Sequence, residues 1–168
     1  MRTQPIFTIF LAPTTLYFLF AASDAFSENI SLAKRLDKCL PYKEQIINII
    51  NNEGVSEDYF YLAVCESSCK VKESPKGARG FYQLIMPTYL KFKPESCTRE
   101  DIDDIQCNVT ASMRYIKNLQ KRFNTMEEVV YAYNMGGHNY KRIGKATKEA
   151  KGLYWCVSTL IKDNNKSH

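Results

Sequence analysis

The sequence holds little material for a metal or thiol centre. It has two histidines in 168 residues, His138 and His168, and no Cys-x-x-Cys pair, so the usual ligand spacings of a zinc site are missing. His138 has no orienting partner that the sequence places beside a cysteine, which disfavours a thiol nucleophile. No segment after the first 25 residues is apolar and long enough to cross a bilayer. Internal repeats and low-complexity blocks are lacking. So are arginine-rich helices and aromatic-basic alternation, and nucleic acid is therefore not an expected partner. No convincing alternating strand pattern is present, which leaves room for a small sheet at most.

What is present begins with an export signature. Met1-Arg2-Thr3 carries one positive charge, an apolar run follows from Ile6 to Ala22, and Ser23-Asp24-Ala25 supplies small residues at signal-peptidase spacing. Residues 1–25 thus read as a signal peptide cleaved after Ala25. An uncleaved anchor is the competing reading, weakened by Pro13-Thr14-Thr15 inside a run of near-minimal spanning length. Residues 26–162 are sufficient for one domain with a real core, and 163–168 read as a polar tail. The net charge of +5 favours an anionic partner such as a cell-wall polymer. All six cysteines follow the leader, which points to disulfides in an oxidising compartment. Cys97 and Cys107 make the most plausible local pair. A Cys65–Cys69 bridge would stiffen the loop after Glu66, although a four-residue separation on a helix strains its geometry.

Helical spacing organises the rest. Ile46, Ile47, Ile49 and Ile50 mark a helix over Tyr42 to Asn52, stopped by Gly54. Ser56 is an N-cap candidate, with Glu57 and Asp58 behind it, for a helix running through Leu62 and Val64 to Glu66. Ser68 to Gly80 reads as a loop with Ser74-Pro75-Lys76-Gly77 as its turn. Phe81 to Leu90 reads as a helix start broken at Pro87. Ile105 to Phe123 gives the clearest long helix. Thr125 and Glu128 form a capping box opening Met126 to Tyr133, which Gly136-Gly137 end. A last helix is expected from Thr147 to Ile161.

Glu66 closes an otherwise apolar helix. Burial against aromatics and the negative helix end should both raise its pKa, and a carboxyl kept protonated near neutrality suits a general acid. The alternative is an ordinary solvated helix-end glutamate. Downstream motifs weigh against that alternative: Gly77-Ala78-x-Gly80-x-x-Gln83, Pro87-Thr88, and Ala132-Tyr133-Asn134-x-Gly136.

Together with Glu66-Ser67 and Ser74-Pro75, these motifs resemble the soluble lytic transglycosylase family over about Tyr42 to Ile161. The resemblance implies a mainly α, lysozyme-like single domain with little or no sheet. It implies a monomer without a cofactor, acting on peptidoglycan glycan strands. Small signal-bearing members resemble enzymes that open the wall for secretion or conjugation apparatus, whose proteins are then possible partners. By the same resemblance Glu66 falls on the sole catalytic acid/base and Ser74 on a serine that hydrogen-bonds it. Gln83 falls on the cleft-lining glutamine and Tyr133 on the tyrosine that orients the acid. Asn134 supports the adjoining sugar subsite, and Tyr115 aligns loosely with a cleft-facing tyrosine.

Each assignment has a plainer alternative. Ser74 starts the Pro75 turn, Gln83 is a surface amide, Tyr133 and Asn134 are a core tyrosine and a helix cap, and Tyr115 belongs to the core. Gly77 and Gly80 serve backbone geometry and close sugar approach. The chain also departs from the family pattern. Cys69-Lys70-Val71 stands where Phe-Asn-Pro is usual, Ser74 lies one residue nearer Glu66, and Phe81-Tyr82 replaces Leu-Met at the expected cleft wall. No convincing second carboxylate is found, since Glu73 lies in the loop and Asp101, Asp103 and Asp104 in an acidic turn. A transglycosylase does not need one, because the substrate's own C6 hydroxyl attacks. Competing readings are a goose-type lysozyme hydrolysing the same bond, a non-catalytic glycan-binding assembly protein, and a secreted interaction domain. Asn108-Val109-Thr110 is a glycosylation sequon.

Overall fold

Three isoleucines a helical turn apart, Ile46, Ile49 and Ile50, are buried together on α1 (Lys43–Asn52), and Glu44 lies in its first turn. The structure is a computed structural model and describes residues 30–166. The compact unit that holds the elements below begins at Lys34; residues 30–33, which are helical, fall outside it. The expected leader, residues 1–25, lies outside the described residues.

A short 3-10 turn, Glu57–Tyr59, precedes α2 (Phe60–Ser67), and the Ser56 hydroxyl accepts from the Asp58 N–H at 3.3 Å. Six consecutive residues of α2, Phe60 to Cys65, are buried, so this helix is apolar all round and runs through the core. The helix stops where Ser68 and Cys69 turn left-handed, at φ 56° and 52°.

The expected helix over Phe81 to Leu90 is not formed. Instead β1 (Ala78–Arg79) and β2 (Leu84–Ile85) pair antiparallel, with Ala78 opposite Ile85. Pro87 does not break a helix but opens one, α3 (Met86–Phe92). A proline tolerates that place because its missing N–H would have had no intrahelical partner. The small sheet is all that is seen among the described residues, in keeping with a mainly α domain.

Helix α4 (Ile105–Gln120) is the central element, buried at Val109, Met113, Ile116 and Leu119, with α1, α3 and α5 packed on it. The Asp104 carboxylate caps it, accepting from Cys107 N–H at 2.9 Å. Thr125 and Glu128 form the expected capping box at the start of α5 (Met126–Met135). The Gly136-Gly137 stop is only half right. Gly136 interrupts the chain, and Gly137 starts a further helix, α6 (Gly137–Ile143). The last helix, α7 (Lys148–Lys166), packs on α5 and α2 and continues past Ile161 through most of the segment expected to be a polar tail.

Three disulfides join the elements. Cys97–Cys107 is as expected, and the Cys65–Cys69 alternative is not formed. Cys65, inside α2, bridges to Cys156 on α7 across 91 residues, while Cys69, beyond the helix end, bridges to Cys39. The acidic turn is structural: Asp103 pairs with Arg79, and Asp101 accepts from the Thr98 N–H at 2.6 Å.

Asn108, on α4 and 1% exposed, holds the turn between the strands. Its Oδ1 accepts from Tyr82 N–H at 3.0 Å, and its Nδ2 donates to the carbonyls of Ile102 at 2.9 Å and Arg79 at 3.3 Å. The sequon asparagine is therefore inaccessible to glycosylation. Gly80 is glycine for the same reason. Its φ is +76°, and a Cβ there would lie 2.2 Å from Asn108 Nδ2 and 2.7 Å from the Ile102 carbonyl. A protein group, not a sugar, makes the close approach. We expect Gly80→Ala to lower stability in urea unfolding by at least about 2 kcal/mol. Gly144→Ala is the control: its φ is +71° but nothing lies within 4 Å, so it should cost only about 1 kcal/mol. Equal losses would contradict the Asn108 argument.

Candidate active site

The two turns of chain after α2 and the end of α5 enclose a cavity of about 540 Å³, within the roughly 300–1,000 Å³ span of small-molecule sites. Its lining brings together all six positions singled out from the sequence: Glu66, Ser74, Gln83, Tyr115, Tyr133 and Asn134. Phe81 and Tyr82 do not line it. Both side chains are buried in the core, Phe81 edge-on to Tyr42 and Tyr82 with its hydroxyl donating to the Tyr59 carbonyl at 3.1 Å. The larger residues at these positions therefore fill the interior rather than narrow the cleft.

Glu66 is the penultimate residue of α2, and its neighbours Cys65 and Ser67 are buried. Its pKa rises from the ordinary 4.5 to about 8. Burial is the leading cause, because desolvation disfavours the charged form. The second is a negative neighbour, Glu149; Lys72 and Lys76 oppose both effects. Glu149, at the start of α7, also lines the cavity, so a second carboxylate is present after all. Lys76 donates to it at 2.7 Å, and this contact together with a hydrogen bond from Asn134 holds its pKa below the usual range. Glu149 lies 83 positions after Glu66, and nothing local in the sequence marks it as a cleft residue. Only the return of α7 onto α2 puts it there.

The remaining side chains are more constrained than the sequence suggested. Ser74 closes its own turn: its hydroxyl accepts from the Ala78 N–H at 3.0 Å, and its carbonyl accepts from the Gly77 N–H at 2.8 Å. Gln83 sits at φ +50° and spends both amide hydrogens, on the carbonyls of Lys72 at 3.1 Å and Gly80 at 2.9 Å. Only its Oε1 is left for a ligand, so it can accept but not donate. The Tyr133 hydroxyl donates to the Tyr82 carbonyl at 2.8 Å, and Ser112 donates to the Asn108 carbonyl at 2.7 Å, 3.5 Å from that hydroxyl. Burial holds the Tyr133 phenol far above its ordinary pKa, and the nearby Glu66 charge pushes the same way. Tyr115 packs its ring 5.3 Å from Tyr133 and 5.2 Å from Phe92, so it serves as cavity wall and aromatic core together. Asn134 reaches Glu149.

Two positioning residues escaped the sequence reading. Ser67 donates to the Phe81 carbonyl at 2.8 Å, fastening the end of the Glu66 helix to the inter-strand turn. Asn108 fastens the same turn to α4. The Glu-Ser pair contained the first signal; no local pattern marked the second.

The chain matches no curated protein and no solved structure. A family model, the transglycosylase SLT domain, matches residues 45–155, well over half of the chain, and that span contains every cavity residue discussed above. The family acts on peptidoglycan and has the lysozyme-like, mainly α architecture that this chain adopts. The chain belongs to the transglycosylase SLT domain family.

Proposed function

We propose that this protein is a peptidoglycan lytic transglycosylase that cleaves the bond between N-acetylmuramic acid and N-acetylglucosamine and leaves a 1,6-anhydro end. The observation that carries the reading is a carboxyl with its pKa near 8 opening into a cavity of sugar-binding size. At neutral pH Glu66 holds a proton. It donates that proton to the glycosidic oxygen as the C1–O4 bond breaks, while the substrate's acetamido group stabilises the developing positive charge. The Glu66 carboxylate then takes the proton of the C6 hydroxyl, whose oxygen closes onto C1. One proton leaves Glu66, one returns, and no water is consumed. Holding attacker and target in one sugar ring gives effective molarities of about 10⁵ M or more.

Around that acid, Gln83 offers its Oε1 to a sugar hydroxyl or amide N–H. The Tyr133 proton is committed to the Tyr82 carbonyl, so its oxygen can only accept, an arrangement that favours a protonated carboxyl beside it. Asn134 and Tyr115 border the adjoining sugar positions, and Ser74 shapes the loop beside Glu66. The proposed setting is the exported side of the membrane, reached through residues 1–25, with local wall opening for secretion or conjugation apparatus as the process.

Glu149 favours one alternative, hydrolysis in the manner of a goose-type lysozyme. An ionised carboxylate in the same cavity is what activating a water would require. Its engagement by Lys76 and Asn134 speaks against that role. Mass spectrometry of muropeptides released from purified wall decides between the two. Products lighter by one water, with anhydro ends, support transglycosylation; reducing ends throughout would establish hydrolysis.

Glu66→Gln tests the acid in two directions. Wall lysis should fall by at least about a thousandfold, toward the upper end of what general acid–base catalysis usually supplies, because the same group serves as acid and then as base. Stability should rise. A buried carboxyl whose folded pKa exceeds its unfolded one costs increasing stability as pH climbs from about 4.5 to about 8, and the cost levels off above that. Glutamine has no such cost. The melting-temperature gain should therefore be small at pH 4 and largest above pH 8. An active variant, or a gain independent of pH, would contradict the assignment.

A further inference from the structure

A second cavity, of about 390 Å³, continues the first, sharing with it Thr88, Tyr115, Gly136 and Asn139. Its charge character differs. Lys91, Arg122 and His138 line it, and no acidic residue does. Lys76 in the first cavity is paired with Glu149, whereas neither Lys91 nor Arg122 enters an ion pair among the described residues. Both cations lie along the ring of the next residue, one half-buried and one buried: Lys91 Nζ is 5.5 Å from the Phe92 centroid, and Arg122 Cζ is 5.6 Å from that of Phe123. Contacts of this kind limit the rotamers open to a long side chain and hold its charge in place.

Gly137 supplies a separate observation. It starts α6 with a backbone any residue could adopt, yet a Cβ there would lie 2.4 Å from Arg122 Nη2 and 2.8 Å from Leu119 Cδ2. Glycine is disfavoured within helices by about 1 kcal/mol relative to alanine. Here it leaves room for the guanidinium to lie against the backbone at the cavity wall.

Resting on the transglycosylase reading, we infer that this second cavity is a subsite for the carboxylates of the peptide stems carried by the glycan. The glycan chain itself is uncharged once its lactyl groups are linked to peptide, and the carboxylates of such a polymer sit on the stems. An acid-free, cationic extension of a neutral sugar groove, floored by Tyr115 and Phe92, fits that division. The protein should therefore discriminate stem-bearing from bare strands, which the sugar groove alone cannot do.

The test compares wild-type protein with the K91Q/R122Q variant on wall glycan bearing its stems and on the same glycan stripped by an amidase. Wild type should show a KM about tenfold lower for stem-bearing strands, the scale of two partly exposed charge contacts. In the variant the ratio of the two KM values should collapse toward one, with kcat retained. The wild-type advantage should also fade at about 1 M salt, where screening acts over about 3 Å. An undiminished ratio in the variant, or equal KM values in wild type, would overturn the inference. If wild type cleaves neither substrate, the transglycosylase reading fails, and the subsite is then judged by binding alone. Free stem peptide should shift the NMR signals of His138 and Arg122, and its C-terminally amidated form should do so less. No shift, or stronger binding of inorganic phosphate than of the peptide, would overturn it.

Discussion

The desolvation of one carboxyl group, Glu66, is the constraint on which the proposed chemistry depends. Glu66 follows six buried residues, Phe60 to Cys65, on a helix that runs through the core, so the chain delivers it to the cavity from the interior rather than from the surface. A carboxylate placed there would lose hydration that the surrounding apolar packing does not replace, and its proton is retained instead. Disulfides flank it on both sides, Cys65 to α7 and Cys69 to Cys39, so the segment carrying the acid is tied at both ends. A carboxyl held in this way costs stability, a cost that the proposed role as proton donor would account for.

A second layer of contacts fixes what faces the acid. The inter-strand turn is gripped from three directions: Ser67 binds the Phe81 carbonyl, Asn108 binds the Tyr82 N–H, and Tyr133 binds the Tyr82 carbonyl. These bonds come from α2, α4 and α5, so three helices agree on the position of one short stretch of backbone. Gln83 follows directly, with both amide hydrogens spent on loop carbonyls. The cavity is thus lined by side chains whose donors and acceptors are largely assigned before any sugar enters. Such prior commitment is the structural form of preorganisation.

Much of this was legible in the sequence, for identifiable reasons. Helices α1, α4 and α5 carry apolar residues at helical spacing, and α5 has its capping box at Thr125 and Glu128, so local rules suffice to find them; the Asp104 cap of α4 was hidden in what read as an acidic turn. Five of the six positions, Glu66, Ser74, Gln83, Tyr133 and Asn134, stand in short, ordered motifs, whereas Tyr115 rested on a loose alignment alone. Other features depended on distant partners. Pro87 has the same covalent restriction whether it breaks a helix or opens one, and its neighbours alone did not decide between them. Gly137 looked like the second half of a stop because the reason for its lack of a side chain, Arg122, lies on another part of the chain. Glu149 and Asn108 gained their places only through the return of α7 and the packing of α4. Cys97–Cys107 was legible from its short separation, whereas Cys65–Cys156 depends on α7 meeting α2, and the short Cys65–Cys69 separation gave no guide.

The charge state of residue 66 is the claim on which the mechanism stands. Carbon-13 NMR of glutamate-labelled protein, with the Glu66 carboxyl signal identified by its disappearance in a substituted variant, would follow that proton across the pH range. A midpoint near 8 is the result this account requires. A midpoint in the ordinary carboxylate range of about 4 to 5 would mean that the group is already ionised at neutral pH, and the proposed proton donor would not exist.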